Sequence, residues 1–185
     1  GVMSAQRQPP IRVSQIVKPI RIYESKPGVF IADMGQNIAG VSQIRVKGPA
    51  GTKITLRYGE DIHADNSLNV FTTVAGQIKS GQGGPGAPEI AWQEDNYVLK
   101  GKGVEEWSPR FTFHGFRYVE ITGWPGTPKP EDIFGLKMNA DLHDGGNFIC
   151  SNKMFNKLDT IINRTFLNNV FSVISDCPAR EKLAY

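Results

Sequence analysis

Cysteine is scarce in this chain. Cys150 and Cys177 are the only two among 185 residues. Two thiols are too few for a disulfide framework or a four-ligand zinc site, and they leave the redox compartment open. Long hydrophobic runs are missing: no stretch of 18 apolar residues exists, so no segment is built to cross a membrane as a helix. An excess of one charge is missing too. Lys plus Arg number 21 against 18 for Asp plus Glu, and the signs alternate along the chain. That pattern belongs to a solvated surface and excludes the basic stripe of a nucleic-acid binder. The first ten residues are polar and lack the apolar stretch of a signal peptide, so any export signal is expected upstream and the compartment stays unknown.

Glycine and proline, by contrast, are plentiful. With 20 Gly and 12 Pro they make up about 17% of the chain, against roughly 12% on average. Such a sequence is rich in turns and argues against a helical bundle. Hydrophobic residues still reach 39%, which is enough for a packed core. Residues 1–10 read as a loose lead, and 11–22 as mostly extended, because Pro9, Pro10 and Pro19 forbid a long helix. Strand-like runs follow at 29–34, 41–47, 53–58, 97–100, 110–113 and 116–122. Apolar residues alternate in Ile44 and Val46, and in Ile54, Leu56 and Tyr58. They do so again in Phe116 and Tyr118 on one face and Val119 and Ile121 on the other. Turn chemistry separates the runs at Gly35-Gln36-Asn37, Gly48-Pro49-Ala50-Gly51, Asp65-Asn66-Ser67 and Gly101-Lys102-Gly103. Short strands at this spacing predict an antiparallel β-sandwich. The Gly/Pro-rich stretch 80–88 reads as a long surface loop.

The character changes after Gly123. A Pro-rich connector, Trp124-Pro125-Gly126-Thr127-Pro128-Lys129-Pro130, leads to a short strand at 133–138. From Ser151, a sensible N-cap, the period becomes helical: Met154, Phe155, Leu158, Ile161, Ile162, Phe166 and Val170 fall at spacings of three and four. Asp176-Cys177-Pro178 then reads as a second helix start, with Asp as cap, Pro in the first turn and Glu181 at the positive end of the dipole. One long amphipathic helix and one broken-off turn cannot bury their own apolar face. The expected organisation is therefore an N-terminal lead over 1–22, an antiparallel sandwich over 23–140, and at 141–185 a linker, a long helix and the truncated start of a second, helical domain.

Four motifs in order carry a family resemblance. Asp33-Met34-Gly35-Gln36-Asn37-Ile38-Ala39-Gly40 comes first, then Gly48-Pro49-Ala50-Gly51-Thr52 with Leu56-Arg57-Tyr58-Gly59-Glu60. Pro109-Arg110-Phe111-Thr112-Phe113-His114-Gly115-Phe116-Arg117-Tyr118 follows, and Asp176-Cys177-Pro178-Ala179-Arg180-Glu181-Lys182-Leu183 ends the series. Each is weak alone; in sequence they resemble the bacterial-type α-L-rhamnosidases. The resemblance implies an all-β, concanavalin-like antiparallel sandwich followed by a helical segment from an (α/α)₆ barrel. It implies hydrolysis of terminal α-L-rhamnosyl bonds with inversion, no cofactor and no metal, and rhamnose-containing glycosides or polysaccharides as partners. By resemblance Glu181 is the general acid, while Asp176, Arg180 and Tyr185 contact the sugar. The family's Gly-Trp after Leu is Ala184-Tyr185 here, so a phenol replaces an indole as the stacking surface. The family's general base lies far downstream in the barrel, so this chain by itself is expected to be inactive and to need the remainder of that barrel as its partner.

Other readings compete. Without the family, Asp176 to Glu181 is simply a capped helix start. Asp33 to Gly40 reads as turn plus strand, and Gly115 as a bulge or a close backbone approach within a core strand. Glu60 and Asp61 could line a sugar site, Asp61, Asp65 and Asn66 hint weakly at calcium, and Asn163-Arg164-Thr165 fits a glycosylation sequon inside a helix. Trp92 and Trp107 could stack on sugar, though such residues are more often packing. The alternative functions are a non-catalytic carbohydrate-binding sandwich and a bare structural spacer.

Overall fold

A computed structural model describes residues 2–74, 92–143, 145–180 and 182. Eight strands join one antiparallel hydrogen-bonded ladder. They are β1 (Ile11–Val17), β2 (Arg21–Lys26), β3 (Val29–Lys47), β4 (Lys53–Gly59), β5 (Glu94–Val98), β6 (Val104–Trp107), β7 (His114–Thr122) and β8 (Ile133–Ala140). One turn of helix, α1 (Phe71–Val74), falls between β4 and β5, and a long helix, α2 (Lys153–Asn168), follows β8. A minimal hairpin, β9 (Val170–Phe171) with β10 (Val173–Ile174), comes after α2.

The 19-residue β3 makes the ladder a sandwich. Its first part, residues 29–33, lies between β2 and β7. Its later part pairs with β8 over residues 40–44 and with β6 over 44–47. One layer is thus β2-β3-β7-β4-β5 and the other β1-β8-β3-β6, with β3 passing from one to the other. A strand can change sheets only where it bends, and a bulge supplies the bend. The bulge sits between Asp33 and Ile38, where the register against β7 slips. Gly35 there has φ of 71°, a left-handed conformation that side chains resist. The sequence reading placed a turn at 35–37 and two strands around it; the structure has one strand carrying a bulge. The Asp33 carboxylate accepts the Gly35 N–H at 2.8 Å, which satisfies the backbone locally while the chain runs on in the same sense.

Both layers feed one core. Phe30, Ala32, Ile54, Leu56, Tyr58, Val119 and Ile121 come from one side, and Val17, Ile44, Val46 and Ile133 from the other. Each fully buried Val, Leu, Ile or Phe among them contributes about 1.5–3 kcal/mol. Phe116 joins Val119 and Ile121 in this core, whereas Tyr118 packs with Ile31 and Leu68 in a second cluster. The expected pairing of Phe116 with Tyr118 is therefore corrected: the irregular register opposite the β3 bulge shifts the alternation of β7 by one residue.

Four further expectations change. Residues 110–113 form no strand, because Phe111 has φ of 63° and lies fully exposed; β6, at 104–107, occupies the edge instead. The 97–100 run is displaced to β5. Asn152, not Ser151, caps α2, its side chain accepting the Met154 N–H at 2.9 Å. Residues 176–180 make bends rather than the start of a helix. The loop expected at 80–88 lies outside the described residues. Among the described residues no helix is long and apolar enough to cross a membrane.

Candidate functional site

The site begins at the β3 bulge. Asp33 is buried at 1% exposure. Its carboxylate accepts two hydrogen bonds from Arg117, at 2.9 and 3.2 Å, and has Arg21 at 3.6 Å. Burial pushes its pKa up, but the bonds from Arg117 and the Gly35 N–H, with the charges of Arg117 and Arg21, outweigh this and hold it below the usual carboxylate value. Four residues along, the Asn37 amide donates to Glu60 at 2.7 Å. The backbone of the bulge is then tied to α2 by a single residue. Asn168 accepts the Ala39 N–H at 3.2 Å and donates to the Asn37 carbonyl at 3.3 Å. A cavity of about 390 Å³ opens at this junction; Asn37, Glu60, Arg164, Asn168 and Asp176 are among its lining residues.

Residues 176–180 and Lys182 lie against the sandwich beside that cavity. Pro178 and Ala179 are buried, and they sit directly over Gly115. A Cβ on Gly115 would lie 3.0 Å from both the Ala179 nitrogen and the Pro178 ring, so this is the close backbone approach that the glycine allows. Arg180 is half-buried, and its N–H donates to Cys177 Sγ at 3.4 Å. Two residues on, the Lys182 ammonium donates to Gln93 Oε1 at 3.0 Å and to the Phe113 carbonyl. It also lies 4.6 Å from the centre of the Phe113 ring. Burial lowers its pKa to about 8, with Asp95 and Cys177 pulling the other way.

Beneath Lys182 the polar contacts continue into the core. His114 is buried between Gln93, 2.9 Å from Nδ1, and Asp95, 3.0 Å from Nε2. Its ring stacks on Tyr58 at 4.2 Å, and the Tyr58 hydroxyl donates to the same Asp95 oxygen at 2.8 Å. His114 is thus a core residue braced from both nitrogens.

Asp176 and Arg180 fall on one short segment, with Asp176 exposed at the cavity wall. Glu181 and Tyr185 lie outside the described residues. Glu60 shares the cavity with Asp176, so two carboxylates and the Arg164 guanidinium line one space. Such a wall offers acceptors and donors to a polyhydroxylated ligand. Asp61 and Asp65 are used within their own turns, accepting the Ile62 and Ser67 N–H groups. Among the described residues no group of three His, Cys, Asp or Glu is placed to hold a metal. Trp107 stacks on Tyr97 at 4.9 Å, and Trp92 carries the Arg57 guanidinium 4.4 Å from its ring centre. Gln93, Asn168 and Lys182 were given no role by sequence reasoning. Lys182 lies within the Asp176–Leu183 motif, while Gln93 and Asn168 carry no sequence signal, since their partners are remote in the chain.

Comparisons with known proteins agree over the whole chain. Residues 23–139 match the family described as bacterial alpha-L-rhamnosidase concanavalin-like domain. Residues 143–185 match the bacterial alpha-L-rhamnosidase 6 hairpin glycosidase domain. An alpha-L-rhamnosidase of Streptomyces avermitilis is 38% identical over 178 residues, which are 96% of this chain and 16% of that protein. One of Formosa agariphila is 34% identical over 183 residues, 99% of this chain and 18% of that protein. Among solved structures, the alpha-L-rhamnosidase from Dictyoglumus thermophilum has a TM-score of 0.84 and 36% identity, covering 98% of this chain and 19% of that one. The Streptomyces avermitilis enzyme complexed with L-rhamnose has a TM-score of 0.85 and 37% identity, covering 98% of this chain and 16% of that one. The chain spans less than a fifth of the length of these relatives. With the sandwich, the helix after it and the four ordered motifs, these matches place the chain in the bacterial α-L-rhamnosidase family, as a concanavalin-like β-sandwich followed by the start of a six-hairpin glycosidase domain.

Proposed function

We propose that this chain forms the sandwich and the opening segment of an inverting α-L-rhamnosidase. Residues 23–140 are its sandwich domain, with β1 from the 1–22 lead hydrogen-bonded to it, and 141–185 begin its helical domain. Glu181 is the general acid that protonates the glycosidic oxygen as the bond to the rhamnose anomeric carbon breaks. Asp176, Arg180 and Tyr185 bind the sugar. A second carboxylate, supplied by the rest of the helical domain, activates the water that attacks from the opposite face; inversion needs the two about 6.5–9.5 Å apart to admit it. The observation that carries the reading is the seating of Pro178, Ala179 and Lys182 on the sandwich, beside a cavity that Asp176 and Glu60 line together.

The outward face of α2 supports the same organisation. Phe155, Leu158, Ile161, Ile162 and Phe166 are each about half exposed, and the rest of the helical domain is the partner that covers them. The chain by itself holds one half of an acid–base pair and hydrolyses no rhamnoside. Replacing Glu181 with Gln in the full-length protein lowers turnover of an unactivated α-L-rhamnoside at least a hundredfold; an unchanged rate removes the acid assignment. A binding module is the second reading, favoured by a polar groove of about 750 Å³ that includes Trp107 and Arg110. Calorimetric titration of this chain with rhamnose and galactose separates the two: a saturable isotherm belongs to the module.

A further inference from the structure

Pro178 with Ala179, and Lys182, are two points held to the sandwich, and the residues between them in sequence are ones the proposed chemistry needs. On the N-terminal side, Pro178 and Ala179 are buried over Gly115. On the C-terminal side, the Lys182 ammonium reaches down to Gln93 Oε1 and the Phe113 carbonyl. Only Arg180 and Glu181 separate the two anchors. We propose that Lys182 is a positioning residue: its ammonium, seated on Gln93 and Phe113, fixes the backbone next to Glu181 and so sets where the general acid stands. The inference rests on the reading of Glu181 as that acid.

The seat for Lys182 is built, not incidental. Lysine can only donate, so Gln93 must present its oxygen to it. The same oxygen lies 2.9 Å from His114 Nδ1, and it can accept only if that nitrogen carries hydrogen. His114 is fixed in turn by stacking on Tyr58 and by Asp95, which also receives the Tyr58 hydroxyl. The ring of Phe113, beside the ammonium, is clamped from its own side by Phe171 at 3.9 Å. Residues from β4, β5, β7, the approach to β5 and β9 therefore converge on the seat of one ammonium. A long, flexible side chain loses its rotamer freedom in such a seat, and its own backbone becomes the rigid end of the lever. Misplacing a catalytic group by about 1 Å can cost about a hundredfold in rate, so one residue of slack beside the acid matters. The lowered pKa of Lys182 reflects the same burial.

The test uses the full-length protein and two aryl α-L-rhamnosides, one with a dinitrophenyl leaving group and one with unsubstituted phenol. The first departs without protonation; the second requires the acid. In Glu181→Gln the loss should be large for phenol and small for dinitrophenol. Lys182→Met should repeat that selectivity, with kcat down about tenfold to a hundredfold for phenol, little change for dinitrophenol and KM within about twofold. Gln93→Leu removes the seat from the sandwich side and should give the same pattern without touching the motif. Equal losses for both leaving groups in both variants, or full activity in both, would overturn the proposal while leaving the acid intact. If Glu181→Gln itself shows no selectivity, the reading of the acid fails and the positioning role falls with it.

Discussion

Asp33 shows how one buried charge organises this fold. It opens the first motif, yet its partner Arg117 lies 84 positions away in the third. A buried carboxylate is tolerable only when paired and hydrogen-bonded, and removing the partner costs about 3–5 kcal/mol. Arg117→Leu should therefore lower the stability of this chain by about 3 kcal/mol in urea denaturation at pH 7. The Asp33 pKa is lowered on folding, so its contribution is present above the ordinary carboxylate value and is lost as the pH falls through the folded one. The gap between wild type and variant should accordingly narrow in acid. Lys182 runs the other way. Its folded pKa is about 8 against 10.5, so between those values the unfolded chain holds a proton that the folded chain has released, and stability rises with pH. Lys182→Met should lack that rise in denaturation curves taken at pH 7.5 to 9.5 (roughly the accessible part of the window). Neither effect was legible beforehand. Asp33 read as a turn residue because local sequence shows its reach to Gly35 but not to Arg117. Lys182 read as one letter of a motif because its seat is made by strands.

At the scale of elements, what could be read followed the period of the pattern. Ile54, Leu56 and Tyr58 alternate and form β4; Phe155, Leu158, Ile162 and Phe166 repeat at helical spacing and form α2. What could not be read followed from pairing. A bulge and a turn share the same Gly-Gln-Asn chemistry, and only the neighbouring strands decide between them. Residues 110–113 carry strand-like aromatics, but the left-handed Phe111 ends any strand there. The outward apolar stripe of α2 agrees with its pattern, since nothing else in the sequence could bury it; what the pattern does not show is that the helix meets the sandwich through buried Asn168 at its end. Asn168→Ala leaves the Ala39 N–H without its acceptor and should cost about 1–3 kcal/mol. Amide exchange is the measurement that locates the loss. Exchange should quicken across α2 and the bulge while the β4 and β7 amides keep their protection; uniform quickening would contradict a local tie.

For the whole molecule, the apolar stripe of α2 and the seated Pro178, Ala179 and Lys182 point the same way. On the proposed reading both face the remainder of the helical domain, whose family model residues 143–185 match. The candidate acid was legible through a motif alone, because no local pattern distinguishes it from a capped helix start. The exposed stripe makes a direct prediction for this chain in solution: it should bind a hydrophobic dye or self-associate, and Phe155→Lys with Ile162→Lys should abolish either behaviour. A monomeric, dye-silent wild-type chain would argue that α2 packs inward after all. The measurement that tests the central claim most directly is the anomeric form of the first sugar released from an aryl α-L-rhamnoside by the full-length protein, followed by proton NMR. Inversion predicts β-L-rhamnose first, and from the phenyl glycoside the Glu181→Gln variant should release it at least a hundredfold more slowly; α-L-rhamnose first, or no rhamnose from the wild type, would contradict it.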